Sequence, residues 1–311
     1  MNEQPLEAAT VIRDQPVVDL TRFTAEDLKR ISRIEDVALV VVPETLASAY
    51  AAIATADVAS VIYVPAGGNV RRHTGTLATG GDSIGQADDV LVVIGMLLIT
   101  SPVVAPVPRQ IYVVGSVFAP RGSGPELGSA LAGGIGSVTY YPYADGQEIK
   151  LHTGNVSLSG AALANRNGQE NDILIIAGQA TVTGQVTAVG YRQVLAAGQL
   201  ALPAADRDAL EDAVQLTGQV GWYRGTSPRV FSEDTTLGPD FFRLLEEPAS
   251  LVVFGDLTID DAVTEDAVRD KVAGITLFGD IIAPAGLIGV LQVRTTDAFG
   301  SIRASDGQPG S

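Results

Sequence analysis

The chain has two histidines, and both sit in one local context: His73-Thr74-Gly75 and His152-Thr153-Gly154, 79 residues apart. An imidazole is a natural general base and metal ligand. On the repeat described below, the two would occupy equivalent corners four strands apart, roughly 20 Å at the spacing of paired strands. Metal ligands sit about 2 Å from their ion, so the pair reads as turn residues rather than one site. Asp256 and Asp280 each follow a glycine, in Phe254-Gly-Asp-Leu and Phe278-Gly-Asp-Ile. On neighbouring strands they would form a short carboxylate ladder, the equipment of glycoside hydrolysis or calcium binding. The equivalent earlier positions hold Met96, Ser116, Gln179 and Gln199, which reads as a solvent-facing position that tolerates many side chains.

Other motifs weigh similarly. Asp260, Asp261, Glu265 and Asp266 surround a helix start, where acidic residues complement the dipole, and they lack calcium-loop spacing. Gly81-Asp-Ser83-Ile-Gly85 matches a nucleophile pattern, but that elbow needs a strand before it and a helix after it, and neither flank fits. Arg121 to Gly128 is glycine-rich, yet Ser129 stands where a phosphate loop wants lysine. Tyr140-Tyr141 and Trp222-Tyr223 correspond by the longer repeat and would either line a sugar or partner surface or pack inside. The ligand or cation candidates are therefore Asp256, Asp280, Tyr140, Tyr141, Trp222 and Tyr223, with no catalytic residue, metal or cofactor assigned.

What must position these residues is a repeat. An apolar run, a glycine and a second apolar run recur about every twenty residues, as in Gln110-Ile-Tyr-Val-Val-Gly115-Ser-Val-Phe-Ala-Pro120 and Ile275-Thr-Leu-Phe-Gly279-Asp-Ile-Ile-Ala-Pro284. Glycines 95, 115, 136, 178, 198, 218, 255 and 279 mark it, with Gly75 and Gly154 as weaker members. Such a period signals a solenoid, and a fixed glycine marks a corner or bulge that no Cβ can enter. The expected fold is mainly β: a parallel β-helix or solenoid with rungs of about twenty residues. An antiparallel protein of bent strands or hairpins is the competing reading.

A longer repeat overlies the first. Arg109, Gly115 and Pro120 match Arg192, Gly198 and Pro203, and Asp89 and Gly95 match Asp172 and Gly178, all 83 residues apart. Ile288-Gly289-Val-Leu291 continues the series, and 231–242 falls where a rung would be irregular. Helical insertions are expected at Pro125–Leu131, Ala204–Val214 and Asp261–Val272, and Glu44–Ala56 is helix-prone. The expected organisation is a flexible arm over 1–22, a helix and possible cap over 23–36, the solenoid over 37–302 and a disordered tail over 303–311.

A net charge of −16 argues against nucleic acid, whose phosphates demand clustered Lys and Arg. The absence of cysteine excludes disulfides and thiolate chemistry. Val90 to Val107 is apolar enough to suggest a membrane span, but Pro102 and Pro106 favour two buried strands. No signal peptide is visible at Met1 to Glu7, so a cytoplasmic location is expected.

The glycine-punctuated runs Leu251 to Ile259 and Ile275 to Pro284 loosely resemble those of bacterial bactofilins. The resemblance implies end-to-end polymerisation of β-helices into cytoplasmic scaffolds; the long repeat and helical insertions depart from that family. The expected function is a non-enzymatic structural, scaffolding or protein-interaction role, with self-association at the apolar stretches Val37–Val42 and Leu287–Val293 or binding to another protein. A carbohydrate-binding or carbohydrate-active protein using the carboxylates and aromatic pairs is the alternative.

Overall fold

The computed structural model describes residues 10–65, 69–104, 106–132 and 136–305. The fold is mainly β, 49% strand and 18% helix, and among the described residues no sheet closes into a barrel. Every strand pairing described is parallel, which removes the antiparallel reading. The chain divides into two compact units, one ending at Tyr140 and the other starting at Tyr141.

In the first unit, β1 (Thr10–Asp19), β2 (Ile31–Pro43), β3 (Ala54–Val58) and β4 (Val61–Val64) form one sheet, with β2 central. Short helices α1 (Ala25–Leu28) and α2 (Ala47–Tyr50) lie in the crossovers. The second sheet is β5 (Asn69–Thr79), β6 (Asp89–Ile99), β7 (Gln110–Pro120) and β8 (Gly136–Tyr141), with α3 (Gly124–Ala130) after β7. β5, β6 and β7 pair without slippage, Gly75 opposite Gly95 opposite Gly115. Near-continuous Val, Ile and Leu in β6 reflect burial on both faces. One face packs with Leu127 and Ala130 of α3, and the other meets Leu39, Val41, Ile62 and Val64 of the first sheet.

The second unit repeats this plan. β9 (Ile149–Ser159), β10 (Ile173–Thr183), β11 (Gln193–Pro203), β12 (Val214–Leu216) and β13 (Gln219–Tyr223) form one sheet, with α4 (Gly160–Leu163) and α5 (Arg207–Glu211) between them. Gly154, Gly178 and Gly198 are again opposite one another. The chain then switches to a strand–strand–helix pattern: β14 (Arg229–Phe231), β15 (Thr235–Leu237), α6 (Pro239–Leu244), β16 (Ala249–Val253), β17 (Leu257–Ile259), α7 (Glu265–Lys271), β18 (Val272–Leu277), β19 (Ile281–Ala283), α8 (Ile288–Arg294), β20 (Thr295–Ala298) and β21 (Ile302–Ala304). Its even and odd strands form two sheets, β14-β16-β18-β20 and β15-β17-β19-β21. They share a core with the helices, built on Leu251, Val253, Leu257, Val268, Ile275 and Leu291. Phe254, Phe278 and Phe299 stack in a column, with centroids 4.8 and 5.2 Å apart.

Several expectations change. Of the 1–22 arm, Thr10–Asp19 is a strand paired with β2, while residues 1–9 lie outside the described residues. The 23–36 helix is one turn, stopped at Leu28 because Ile31 and Ile34 are buried in β2. Val37–Val42 is therefore no free end: β2 is paired on both sides. Arg303 and Ala304 belong to β21, and residues 306–311 lie outside the described residues. Ala204–Val214 is a 3-10 turn plus α5, after which Val214 opens β12. Helix within Glu44–Ala56 is limited to α2 and a preceding 3-10 turn, and Ala54–Ala56 already belong to β3. Among the described residues, a single strand forms within Val90–Val107, and no helix is long and apolar enough to cross a membrane. Ile288–Leu291 is helical, because Leu287 and Leu291 bury at helical spacing. The stretch 231–242 is regular, holding β15 and α6 with Glu233 beneath Gly255.

Candidate functional site

The glycines explain the geometry of everything else. Gly115 has φ +138°, and a Cβ placed on it would lie 1.8 Å from the carbonyl oxygen of Gly95. Gly95, Gly136, Gly178, Gly198, Gly218, Gly279 and Gly300 meet the backbone oxygen of the preceding glycine in the same way. In β5–β7 and β9–β11 each strand thus bends at a glycine of positive φ that stands against the glycine of its neighbour. The first sheet also has a column of positive φ, without glycine: Asp14, Asp36 and Asp57 have φ of 55°, 54° and 51°. The pairing of Gln15 with Val37 and of Val37 with Val58 aligns the three. Aspartate tolerates this conformation better than most residues. Their 21- to 22-residue spacing was visible in the chain; what hid them was their charge.

Asp256 and Asp280 stand just after Gly255 and Gly279 and do form a ladder, extended at both ends. Asp256 N–H donates to Asp234 Oδ1 at 3.3 Å, Asp280 N–H to Asp256 Oδ1 at 3.2 Å, and Ser301 N–H to Asp280 Oδ1 at 2.7 Å. Each carboxylate accepts the backbone N–H of the following layer. Asp280 also accepts from the Ser301 hydroxyl and from Arg303. The Ser301 amide and hydroxyl, then Arg303, hold its carboxyl below the usual range. One oxygen of each carboxylate in the ladder is engaged by backbone, and among the described residues no group of three or more His, Cys, Asp or Glu is gathered as a metal site.

The aromatic pairs split between interior and flank, as alternation along a strand requires. Tyr141 and Tyr223 are fully buried. The Tyr223 hydroxyl donates to the Val182 carbonyl at 2.6 Å. Burial, then the charge of Asp206, pushes that phenol up to about 12, and burial pushes Tyr141 upward too. Tyr140 packs against the core beside α3. Trp222 lies under the Arg207 guanidinium, 4.8 Å from its ring. The backbone N–H of Trp222 donates to Asp297 Oδ2 at 2.6 Å.

His73 and His152 each lie in the outermost strand of their own sheet, two residues before its glycine. Ser83 sits in a turn and donates to Asp82 at 2.9 Å, with no helix following. In Arg121–Gly128, the Ser123 hydroxyl is buried and accepts the Val103 N–H at 3.1 Å, a structural use of the loop. Asp260 accepts the Ala262 N–H, Thr264 caps α7, and Glu265 and Asp266 pair with Arg269.

The buried charges lie elsewhere, in a motif shared by both units. Asp89 and Asp172 are 5% and 1% exposed. Asp89 accepts the Gln86 N–H at 2.9 Å, and Asp172 accepts the Gln169 N–H at 2.9 Å. Each closes the turn that launches β6 or β10. Asp89 is also bound by Asn69 and Arg71, at 2.9 and 3.3 Å. Asp172 also accepts from Asn165 and from the Glu148 N–H, both at 3.0 Å. The Gln86 amide, aided by Asn69 and Arg71, lowers the Asp89 pKa against burial. At Asp172 burial is the largest influence and raises it, but Asn165, two backbone amides and Lys150 together outweigh it, and the net shift is downward. The 83-residue match of these two aspartates was a signal of structure, not of chemistry.

A cleft of about 470 Å³ opens in the second unit, between β9 and β10 on one side and β14 and α6 on the other. None of the candidates read from the sequence lines it. No protein-family model, curated protein or solved structure matches this chain.

Proposed function

We propose that this chain is a non-enzymatic structural or protein-interaction protein, a parallel β-solenoid with rungs of about twenty residues that associates with further copies of itself. The in-register glycine contacts and the exclusively parallel pairing support the solenoid reading. The repetition of strand, glycine and buried aspartate in β5–β8 and β9–β13 supports the 83-residue superrepeat. The use of the carboxylates and hydroxyls as backbone acceptors supports a structural role over catalysis.

The observation that carries self-association is the last layer. β20 and β21 are the outermost strands of their sheets, each paired on one side among the described residues. Phe299 ends the phenylalanine column with 42% of its surface exposed, and Val293 on α8 is 83% exposed. An unpaired edge beside exposed apolar side chains is a template for another chain. A second copy would supply the next strands and cover the ring. The setting in a bacterial cytoplasm follows the resemblance to bactofilins and belongs to the proposal.

Sedimentation velocity over a range of concentrations tests this. The wild-type chain should grow in mass with concentration, and Phe299→Ser with Val293→Glu should hold it monomeric with an unchanged circular dichroism spectrum. A wild-type chain that stays monomeric at every concentration, or a double variant that associates as well as wild type, would overturn the reading.

A further inference from the structure

We propose that the cleft between β9–β10 and β14–α6 binds an acidic sugar, with its ring on the phenylalanines and its carboxylate on Arg229. The cleft's volume lies in the lower part of the ~300–1,000 Å³ typical of binding pockets. Its two walls differ in chemistry. On one, the pairing of Gln179 with Asn155 and of Thr181 with Ser157 lays amides and hydroxyls in two short rows on a single sheet face. On the other stand Phe231, Phe241 and Phe254, the first two edge-to-face at 5.9 Å.

The amide row has a direction. Gln179 Nε2 donates to Gln199 Oε1, and Gln199 Nε2 to Gln219 Oε1, both at 3.2 Å. Each donor points away from the cleft, so the row ends there on Gln179 Oε1, which is buried and without a hydrogen-bond partner. Thr181 Oγ1 is in the same state, on a residue 1% exposed. Buried polar atoms are nearly always satisfied, and two orphans lining one cleft are a demand for donors from outside the chain. A row of polarised amides makes its terminal oxygen a better acceptor.

The ligand class follows. Gln179 Oε1 asks for a hydroxyl donor, Thr181 takes or gives one, and aromatic faces accept the C–H face of a pyranose. Arg229 is exposed at the rim and makes no ion pair among the described residues, although the chain has a net charge of −16. An unengaged guanidinium beside a polar cleft selects a carboxylate, which it can bind with two parallel hydrogen bonds. The site uses none of the residues that end the β20–β21 edge, so it is independent of self-association.

Titration calorimetry with trigalacturonate, and with maltotriose as the neutral probe, decides it. Saturable binding of trigalacturonate is expected, weakened about tenfold or more by Arg229→Ala, the weight of one hydrogen bond to a charged group. Thr181→Val should weaken it too while melting no lower than wild type, which separates lost binding from lost folding. The assignment is overturned by equal affinity for maltotriose, by an Arg229→Ala variant that binds trigalacturonate unchanged, or by no binding of either sugar.

Discussion

Gly115 and Gly75 look alike in the sequence and differ in what surrounds them. Both have left-handed φ, but a Cβ on Gly75 would meet nothing within 4 Å, whereas on Gly115 it would strike the Gly95 carbonyl. Gly75→Ala should cost about 1–3 kcal/mol, the strain of the backbone alone. Gly115→Ala adds a clash with main chain that cannot move, so a loss above about 4 kcal/mol is expected. Urea unfolding of the two variants checks the difference, and equal costs would contradict the stacked kinks. Asp172 belongs to this scale as well. Its carboxyl is held below its unfolded value near 3.9, so its contribution is complete above that pH and is lost as pH falls through the folded pKa. Asp172→Asn should therefore be less stable than wild type at pH 6, and the gap should narrow from about pH 4 downward. A gap that widened on acidification would reverse the sign of the argument. Glycine columns were legible because nothing else tolerates the site. The aspartate column was not, because an exposed aspartate carries no sign of its backbone conformation, and the match of Asp89 with Asp172 did not reveal that both are buried.

At the scale of elements, legibility followed burial. The runs Gln110–Pro120 and Gln193–Pro203 are β7 and β11 to the residue, since both strands are flanked and apolar. β5 and β9 are the outer strands of their sheets, carry Arg71, Arg72 and Lys150, and left only a weak trace in the sequence. α8 was hidden for the opposite reason: Ile288-Gly289-Val290-Leu291 imitates the strand pattern, and only the burial of Leu287 and Leu291 on one side separates the two. Local chemistry did fix α7, where Thr264 accepts the Ala267 N–H at 3.3 Å before two acidic residues. Thr264→Ala should cost about 1 kcal/mol, read as a lower urea midpoint with an unchanged slope. A change in slope would mean that the helix, not its cap alone, had been lost.

At the scale of the molecule, Asp256 and Asp280 accept backbone N–H groups and Tyr141 and Tyr223 pack in the core, while an orphaned amide oxygen and hydroxyl stand where no motif pointed. Spacing reports which residues stack; it does not report which polar atoms are left without partners. The central claim is that β20 and β21 present a usable edge. Amide hydrogen exchange at low and high protein concentration tests it directly. The account predicts that residues 295–304 gain protection as concentration rises while β6 and β10, already flanked, do not change. Exchange over 295–304 that is the same at every concentration would contradict it.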